Sequence, residues 1–363
     1  MFASLIGHVE VVDKLLQHGA TVDLQTEDGW SSLMYASQEG HVEVVDKLLQ
    51  HGATVDLQKE NGWSSLMAGS LGGHVEVVDK LLLHGATVDL QEEDGCSSLM
   101  YASQEGHVEV VDKLLQHGAT VDLQKENGWS SLMAGSLGGH VEVVDKLLQH
   151  GATVDLQEED GCSSLMYASQ EGHVEVVDKL LQHGATVDLQ KEDGWSSLMA
   201  ASQEGHVEVV DKLLQHGATV DLQTEDGWSS LMAASQEGHV EVVDKLLQHG
   251  ATVDLQKEGG WSSLIAASQY GHVEVVDKLL QHGATVDLQK EDGCSSLMAA
   301  SDEGHVEVVD KLLQHGATVD LQEEDGWSSL VAASQEGHVE VVDKLLQHGA
   351  TVDLHDKVCI VYG

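Results

Sequence analysis

Serine, histidine and aspartate recur together along the sequence, and these three side chains form the triad of many hydrolases. Ser31, His41 and Asp46 are one such set, and each complete copy of a 33-residue unit repeats it. A nucleophile and its base need one special site at which they converge, whereas a template copied ten times offers none. The sequence therefore predicts that the chain is not an enzyme.

Metal and cofactor chemistry is equally weakly supported. Two histidine columns, represented by His41 and His51, open and close the second helix of the unit. We interpret the first as structural, satisfied by backbone of the turn, and the second as a favourable partner of the helix dipole. Neither has the tight ligand spacing of a zinc site, and the acidic turns lack the alternating ligands of a calcium loop. We predict no metal and no cofactor.

The charge balance limits the class of partner. The formal net charge is −45, and every basic residue is a lysine. Nucleic acids and anionic membranes are bound through clustered lysine and arginine, so this chain should be repelled by both. If charge helps to choose a partner protein, that partner carries a basic segment. The alternative is that the carboxylates form only a solvated surface.

The positions of the cysteines and the hydropathy of the chain indicate where in the cell the protein is located. Cys96, Cys162 and Cys294 occupy the same place in different repeats, which separates them by more than the roughly 7 Å between Cα atoms that a disulfide spans. Reduced thiols favour a cytoplasmic protein. No apolar run approaches the roughly 20 residues that cross a bilayer, so no membrane insertion is predicted.

The strongest pattern is an internal repeat. The sequence Gly-His-Val-Glu-Val-Val-Asp-Lys-Leu-Leu begins at Gly7, returns at Gly40 and Gly73, and continues at the same interval up to Gly337. This gives eleven copies of the second half of the unit and ten of the whole. A fixed period of this length indicates a solenoid, in which each unit buries its apolar face against its neighbours.

The first half of one unit predicts a turn and a short helix. Residues 27–30, Glu-Asp-Gly-Trp, have turn chemistry, with Gly29 free to take a positive φ. Ser31 is a good N-cap for a helix over 32–38. Gly40 and the following histidine should end that helix.

The second half predicts another helix, over 42–50. Glu43 and Lys47 lie one helical turn apart in the order that favours an ion pair, and Gly52 should end the helix as its C′ glycine. Residues 53–58 should then run extended into the next turn. Four residues are expected on the apolar face: Val42, Val45, Leu48 and Leu49.

These residues resemble the ankyrin repeat, D-x-x-G-x-T-P-L-H-x-A-A-x-x-G-H-x-E-x-V-x-x-L-L-x-x-G-A-x-V. From Glu27 the chain has E-D-G-W-S-S-L-M-Y-A-S-Q-E-G-H-V-E-V-V-D-K-L-L-Q-H-G-A-T-V-D-L-Q. The resemblance implies an all-α ankyrin-repeat solenoid of about eleven stacked helix-turn-helix units with hairpin-like turns. Ser-Ser-Leu-Met replaces the family's Thr-Pro-Leu-His, and loss of the proline should make each repeat somewhat less rigid.

The repeat also predicts an organisation along the chain. Residues 1–25 correspond to a truncated first repeat, 26–355 to ten full repeats, and 356–363 to a divergent tail. Solenoids need polar terminal caps, which this pattern lacks. We therefore expect a fragment of a longer protein, with end-to-end self-association through the uncapped terminal repeats as a further possibility.

Aromatic residues are the best candidates for binding. In the family, the residue after the turn glycine lies on the hairpin side of the concave groove, and first helices line that groove. Large aromatics there are natural partner anchors; alternatively, each indole packs on the neighbouring hairpin and only stiffens the array. The candidates are Trp30, Trp63, Trp129, Trp195, Trp228, Trp261 and Trp327, with Tyr35, Tyr101, Tyr167 and Tyr270 in or beside the first helices.

Three functions remain open from the sequence. The leading one is a non-enzymatic scaffold that binds a partner protein on the concave face formed by hairpins and first helices. A second is the targeting arm of a larger signalling enzyme, receptor or channel. A third is a mechanical spacer, which the near-identity of the repeats would suit.

Overall fold

The structure, a computed structural model, describes residues 1–323 and 325–353. These residues form 22 α-helices, one 3₁₀ turn at Glu258–Gly260 and isolated β-bridges, with no continuous strand among them. The chain divides into two compact units, Met1–Thr186 and Val187–Gly363. The predicted divergent tail, 356–363, lies outside the described residues, and the boundary after residue 25 stays a prediction.

Short and longer helices alternate in both units. The first unit contains α1 Phe2–Leu5, α2 Val9–Gln17, α3 Ser32–Gln38, α4 Val42–Gln50, α5 Ser65–Leu71, α6 Val75–Leu83, α7 Ser98–Gln104, α8 Val108–Gln116, α9 Ser131–Leu137, α10 Val141–Gln149, α11 Ser164–Gln170 and α12 Val174–Gln182. The second contains α13 Ser197–Gln203, α14 Val207–Gln215, α15 Ser230–Glu237, α16 Val240–Gln248, α17 Ser263–Gln269, α18 Val273–Gln281, α19 Ser296–Asp302, α20 Val306–Gln314, α21 Ser329–Glu336 and α22 Val339–Gln347.

In every pair after α1 and α2, the first helix begins at a serine cap, as predicted; the residue before α1 is Met1. In α3 the Ser31 hydroxyl accepts a hydrogen bond from the Met34 amide at 3.2 Å. The turn before it contains Gly29 at φ +79°, a conformation that only glycine adopts without strain. Both helix ranges predicted for this repeat, 32–38 and 42–50, are confirmed.

The buried face of the second helix differs by one residue from the prediction. In α4 the buried apolar residues are Val44, Val45, Leu48 and Leu49, whereas Val42 is half-buried. The helix packs against neighbours on two sides, which widens its buried stripe and moves the stripe towards Val44. The prediction had left out Val44 and had placed Val42, which is only half-buried, on the apolar face.

Lysines of the second helices bind across repeats. Lys47 lies 3.3 Å from Asp13 of the preceding repeat, and Lys80 lies 2.8 Å from Asp46. The predicted pairing of Lys47 with Glu43 inside α4 was wrong, because stacking brings a carboxylate of the adjacent helix to the same ammonium. These pairs are partly exposed, so each contributes about 0–1 kcal/mol.

The segment that leads into each turn also joins neighbouring repeats. Residues 53–58 are not uniformly extended, since the Leu57 amide donates to the Thr54 carbonyl at 3.2 Å. Thr54 donates from its amide and its hydroxyl to the two carboxylate oxygens of Asp23, at 2.9 and 2.6 Å. The same pair of bonds recurs in both units and holds successive turns in register.

The histidines that open the second helices are structural. His41 Nε2 donates to the carbonyl of Leu5 at the end of the preceding first helix, at 3.0 Å. The acceptor was expected in the histidine's own turn, but it lies one repeat away. A Cβ at Gly7 would lie 2.8 Å from the His41 ring, so the glycine leaves room for this contact.

Candidate functional site

The tryptophans lie at the junction of each turn with its first helix. Each directly precedes the capping serine, and all seven are half-buried. The side chain of Gln25 fixes the turn before Trp30 by donating to the Gly29 carbonyl at 2.8 Å and to the Gln58 carbonyl of the next turn at 2.9 Å. Successive turns therefore repeat this position every 33 residues, with tryptophan at seven of them and cysteine at 96, 162 and 294.

A lysine of the following turn covers three of the indoles. Lys59 lies 4.8 Å from the ring centre of Trp30, Lys257 lies 4.6 Å from that of Trp228, and Lys290 lies 4.8 Å from that of Trp261. An ammonium over an aromatic face is attracted by the ring quadrupole. These contacts give Trp30, Trp228 and Trp261 a packing role between repeats.

Three of the four candidate tyrosines also contact tryptophans. Tyr35 stacks on Trp30 with ring centres 5.0 Å apart. Two edge-to-face pairs cross between repeats, Trp63 with Tyr101 at 4.9 Å and Trp129 with Tyr167 at 5.0 Å.

The fourth tyrosine lies apart from this group. Tyr270 is 50% exposed and stacks on His272 at 6.4 Å. The structure thus pairs three of the candidate tyrosines with tryptophans and leaves Tyr270 at the end of α17.

Two open grooves of the second unit are lined by pairs of tryptophans. One, of about 400 Å³, lies between Trp195 and Trp228 and is bounded by Asp193, Asp226 and Glu237. The other, of about 500 Å³, has Trp261 and Trp327 in its lining. Turn residues and first-helix residues line both grooves, so each could receive side chains of an extended segment.

Local contacts shift several pKa values in the turns. A hydrogen bond from the Thr224 hydroxyl, with the Lys257 ammonium, lowers the pKa of Asp226. Burial raises the pKa of the Glu323 carboxyl and of the Tyr101 hydroxyl. Burial also raises the pKa of the Cys294 thiol to about 11. This thiol is therefore a poor nucleophile near neutral pH.

One group of possible metal ligands occurs in the part of the chain that the structure describes. Ligand atoms of Glu158, Asp160 and Cys162 lie within 4.8 Å of one another. The Tyr167 hydroxyl donates to Glu158, and Asp160 accepts from the Cys162 amide at 2.9 Å. These hydrogen bonds give the carboxylates a role within the turn. In the sequence, the same three residue types recur at the corresponding positions only in the turn of Glu92, Asp94 and Cys96. The sequence analysis considered such acidic turns only as calcium loops, and did not predict a site that includes the cysteine.

Comparison with known proteins identifies the repeat. A family model described as ankyrin repeats (three copies) matches residues 1–92, 66–158, 99–191, 132–224, 165–258, 198–290 and 264–356. The chain belongs to the ankyrin-repeat family. Among solved structures it is similar to the human ASB11 ankyrin repeat domain, with 29% identity, a TM-score of 0.57, and coverage of 61% of this chain and 99% of that one. The comparison with curated proteins yields no match.

Membership of the ankyrin-repeat family confirms the predicted fold class. Ankyrin repeats are generally modules of protein–protein interaction and are typically non-catalytic. None of the helices in the described residues is long and apolar enough to cross a membrane.

The sequence analysis did not predict that lysines lie over tryptophan rings. In each covered case the lysine occupies the same position of the turn that follows its tryptophan, as Lys257 does for Trp228. The repeat fixes that position, so it was readable from the sequence once the turns were placed in register.

Proposed function

We propose that this ankyrin-repeat protein is a non-enzymatic scaffold that binds a partner protein along its turns and first helices. The observation that carries the proposal is the pair of grooves in the second unit, each lined by two tryptophans. Half-buried indoles in a groove offer large apolar area on side chains whose positions are already fixed, which lowers the entropy cost of binding. The predicted anchors are the seven tryptophans together with Tyr35, Tyr101, Tyr167 and Tyr270.

The chemistry of the surface favours a basic partner segment. The net charge is −45, and Asp193, Asp226 and Glu237 border the first groove. The negative charge of the chain accelerates association with a basic segment. The same charge repels anionic partners such as nucleic acid. Cys96, Cys162 and Cys294 are thiols rather than disulfides, which agrees with a reducing compartment, and we place the protein in the cytoplasm.

A matched pair of variants tests the proposal. In the first, Trp129, Trp195, Trp228 and Trp261 are changed to alanine. Proteins captured from a lysate are compared with those captured by the parent chain, after circular dichroism has shown equal helicity. Loss of the parent's partners is expected, because truncation removes Trp129 and three of the four tryptophans that line the grooves.

The control variant carries four Gln→Ala changes at exposed positions of the second helices: Gln149, Gln215, Gln248 and Gln281. Leucine already occupies the equivalent position at Leu83, so this site tolerates apolar residues. The control should keep the parent's partners. Capture of the same partners by the tryptophan variant would refute the proposed binding face.

We also propose end-to-end association of the chain through exposed apolar faces of its outermost repeats. Val11 and Leu15 of α2 are 49% and 52% exposed, whereas their equivalents one repeat later, Val44 and Leu48, are buried. At α22, Leu346 is 41% exposed although its equivalent Leu49 is buried. These residues expose the two complementary sides of the interface that joins successive repeats.

A further inference from the structure

Each tryptophan ring that has a lysine or tyrosine contact receives it from a residue at a fixed position of the repeat. In the turn that follows Trp30, Trp228 and Trp261, one fixed position carries the lysine that covers the ring. A tyrosine of the first helix contacts the ring from the same repeat at Trp30, and from the next repeat at Trp63 and Trp129. The residues at these three positions therefore determine whether an indole has a partner within the chain.

Trp195 has none of these partners. The three corresponding positions carry Ala200, Thr224 and Ala233. These side chains are short and have neither a positive charge nor an aromatic ring. Within residues 1–323 and 325–353 no lysine or aromatic ring covers the Trp195 indole, which nevertheless lines the groove of about 400 Å³. The groove thus contains one indole with a bound ammonium, Trp228, and one without, Trp195.

We propose that the Trp195 face is a subsite for a cationic side chain, arginine or lysine, of a partner protein. This inference rests on the proposed binding function and names the chemistry that its second-unit groove selects. Lys257 on Trp228 provides the internal precedent: an ammonium of the next turn seated 4.6 Å from an indole centre. A partner's cation would take the equivalent place on Trp195, which Thr224 leaves open.

The charges around the groove favour that occupant. Asp193, Asp226 and Glu237 are exposed carboxylates in its lining. Lys257 lies 3.4 Å from Asp226, and Lys191 lies 3.6 Å from Asp193. Three carboxylates against two ammonium groups leave a net negative groove, in which a cation gains both from the ring and from the carboxylates.

The test follows the indole resonance of Trp195 during titration with a small probe. The probe is acetyl-Gly-Arg-Gly-amide, and its matched control replaces arginine with citrulline, which has the same shape without the charge. Loss of one indole signal in the Trp195→Phe variant assigns the resonance. The arginine peptide should shift the Trp195 signal in a saturable manner, and the citrulline peptide should not.

A single substitution provides an internal competitor. Thr224→Lys changes the turn Thr-Glu-Asp-Gly-Trp into Lys-Glu-Asp-Gly-Trp, which the chain already contains at 191–195. The new lysine should cover Trp195 and weaken binding of the arginine peptide by about threefold to thirtyfold. Thr26→Lys makes the same change in an identical turn that has no tryptophan before it in the sequence. It should leave the affinity at Trp195 unchanged.

The reverse substitution keeps the proposal testable even if Thr224→Lys fails to fold. Lys257→Thr uncovers Trp228, and its indole should then respond to the arginine peptide as Trp195 does. Equal shifts with arginine and citrulline peptides, or no shift of Trp195, would overturn the subsite. So would an unchanged affinity in folded Thr224→Lys. These outcomes concern the subsite alone, whereas loss of the broader function would appear as unchanged partner capture by the four-tryptophan variant.

Discussion

Serines at two positions of the first helices have opposite effects on stability. Ser229 caps α15 by accepting from the Met232 amide at 3.4 Å, whereas the buried Ser235 hydroxyl near the end of the same helix has no hydrogen-bond partner among the described residues. Ser229→Ala should lower the free energy of unfolding by about 1 kcal/mol, because the amide loses its cap. Ser235→Ala should raise it by about 1 kcal/mol, because an unsatisfied buried hydroxyl is removed.

Urea unfolding followed by circular dichroism measures both changes. Ser202 and Ser268 are equally buried and without a partner, so Ser→Ala at all three positions should stabilise roughly additively across the stack. A destabilised Ser235→Ala variant would mean that this hydroxyl has a partner in solution.

A second prediction at the residue scale concerns Cys294. Burial raises the pKa of its thiol to about 11 from an ordinary value near 9.0. Only the thiolate reacts with iodoacetamide, so the alkylation rate should still be rising at pH 10 and should reach its midpoint near pH 11. Peptide mass spectrometry across pH 7–11.5 gives this profile. A plateau below pH 9.5 would show that the thiol is more accessible than the structure indicates.

Among the elements, sequence reasoning succeeded where the cause is local. The capping serine, the turn glycine and both helix ranges follow from neighbouring residues, and all were predicted. The ion pair of Lys47 was predicted wrongly because its partner lies in another repeat. Glu43 satisfied the helical spacing rule, but Asp13 of the preceding repeat is the actual partner, at a separation that only the stacking register reveals.

The same limit applies to the candidate site. The sequence placed Trp195 and Trp228 at turns, yet which indole is covered depends on a residue of the following turn. Thr224 and Lys257 occupy equivalent positions there, and the structure shows that the lysine at this position lies 4.6 Å from the centre of the preceding ring. Val44 illustrates the same point in the core: it is buried, whereas its equivalent in the first repeat, Val11, is 49% exposed.

The bonds between successive turns yield a prediction at the element scale. Asp221 accepts from the amide of Thr252 at 2.9 Å and from its hydroxyl at 2.5 Å. Thr252→Val removes the hydroxyl donor and should lower the free energy of unfolding by about 1 kcal/mol. Thr252→Ser retains that donor and should keep most of the stability in the same urea experiment. If the Val variant were as stable as the parent, the hydroxyl bond to Asp221 would not stabilise the stacking of the turns, and packing alone would fix their register.

For the whole molecule, charge and apolar surface act in opposite directions. The net charge of −45 makes copies of the chain repel one another. The exposed faces at Val11, Leu15 and Leu346 favour contact, because they match the two sides of the interface that recurs inside each unit. Stacking in that register would also bring Lys14 of one copy to Asp343 of another, as Lys47 meets Asp13.

Salt decides between these two effects. The Debye length falls from about 10 Å at 0.1 M salt to about 3 Å at 1 M, which screens the repulsion but leaves apolar contact intact. The weight-average mass from sedimentation equilibrium should therefore rise with sodium chloride and with protein concentration. Leu15→Glu should remain monomeric, because it places a carboxylate in the contact. Leu83→Glu makes the same substitution at a 69% exposed leucine within the stack and should follow the parent. A parent chain that stays monomeric at 1 M salt would exclude this mode of association.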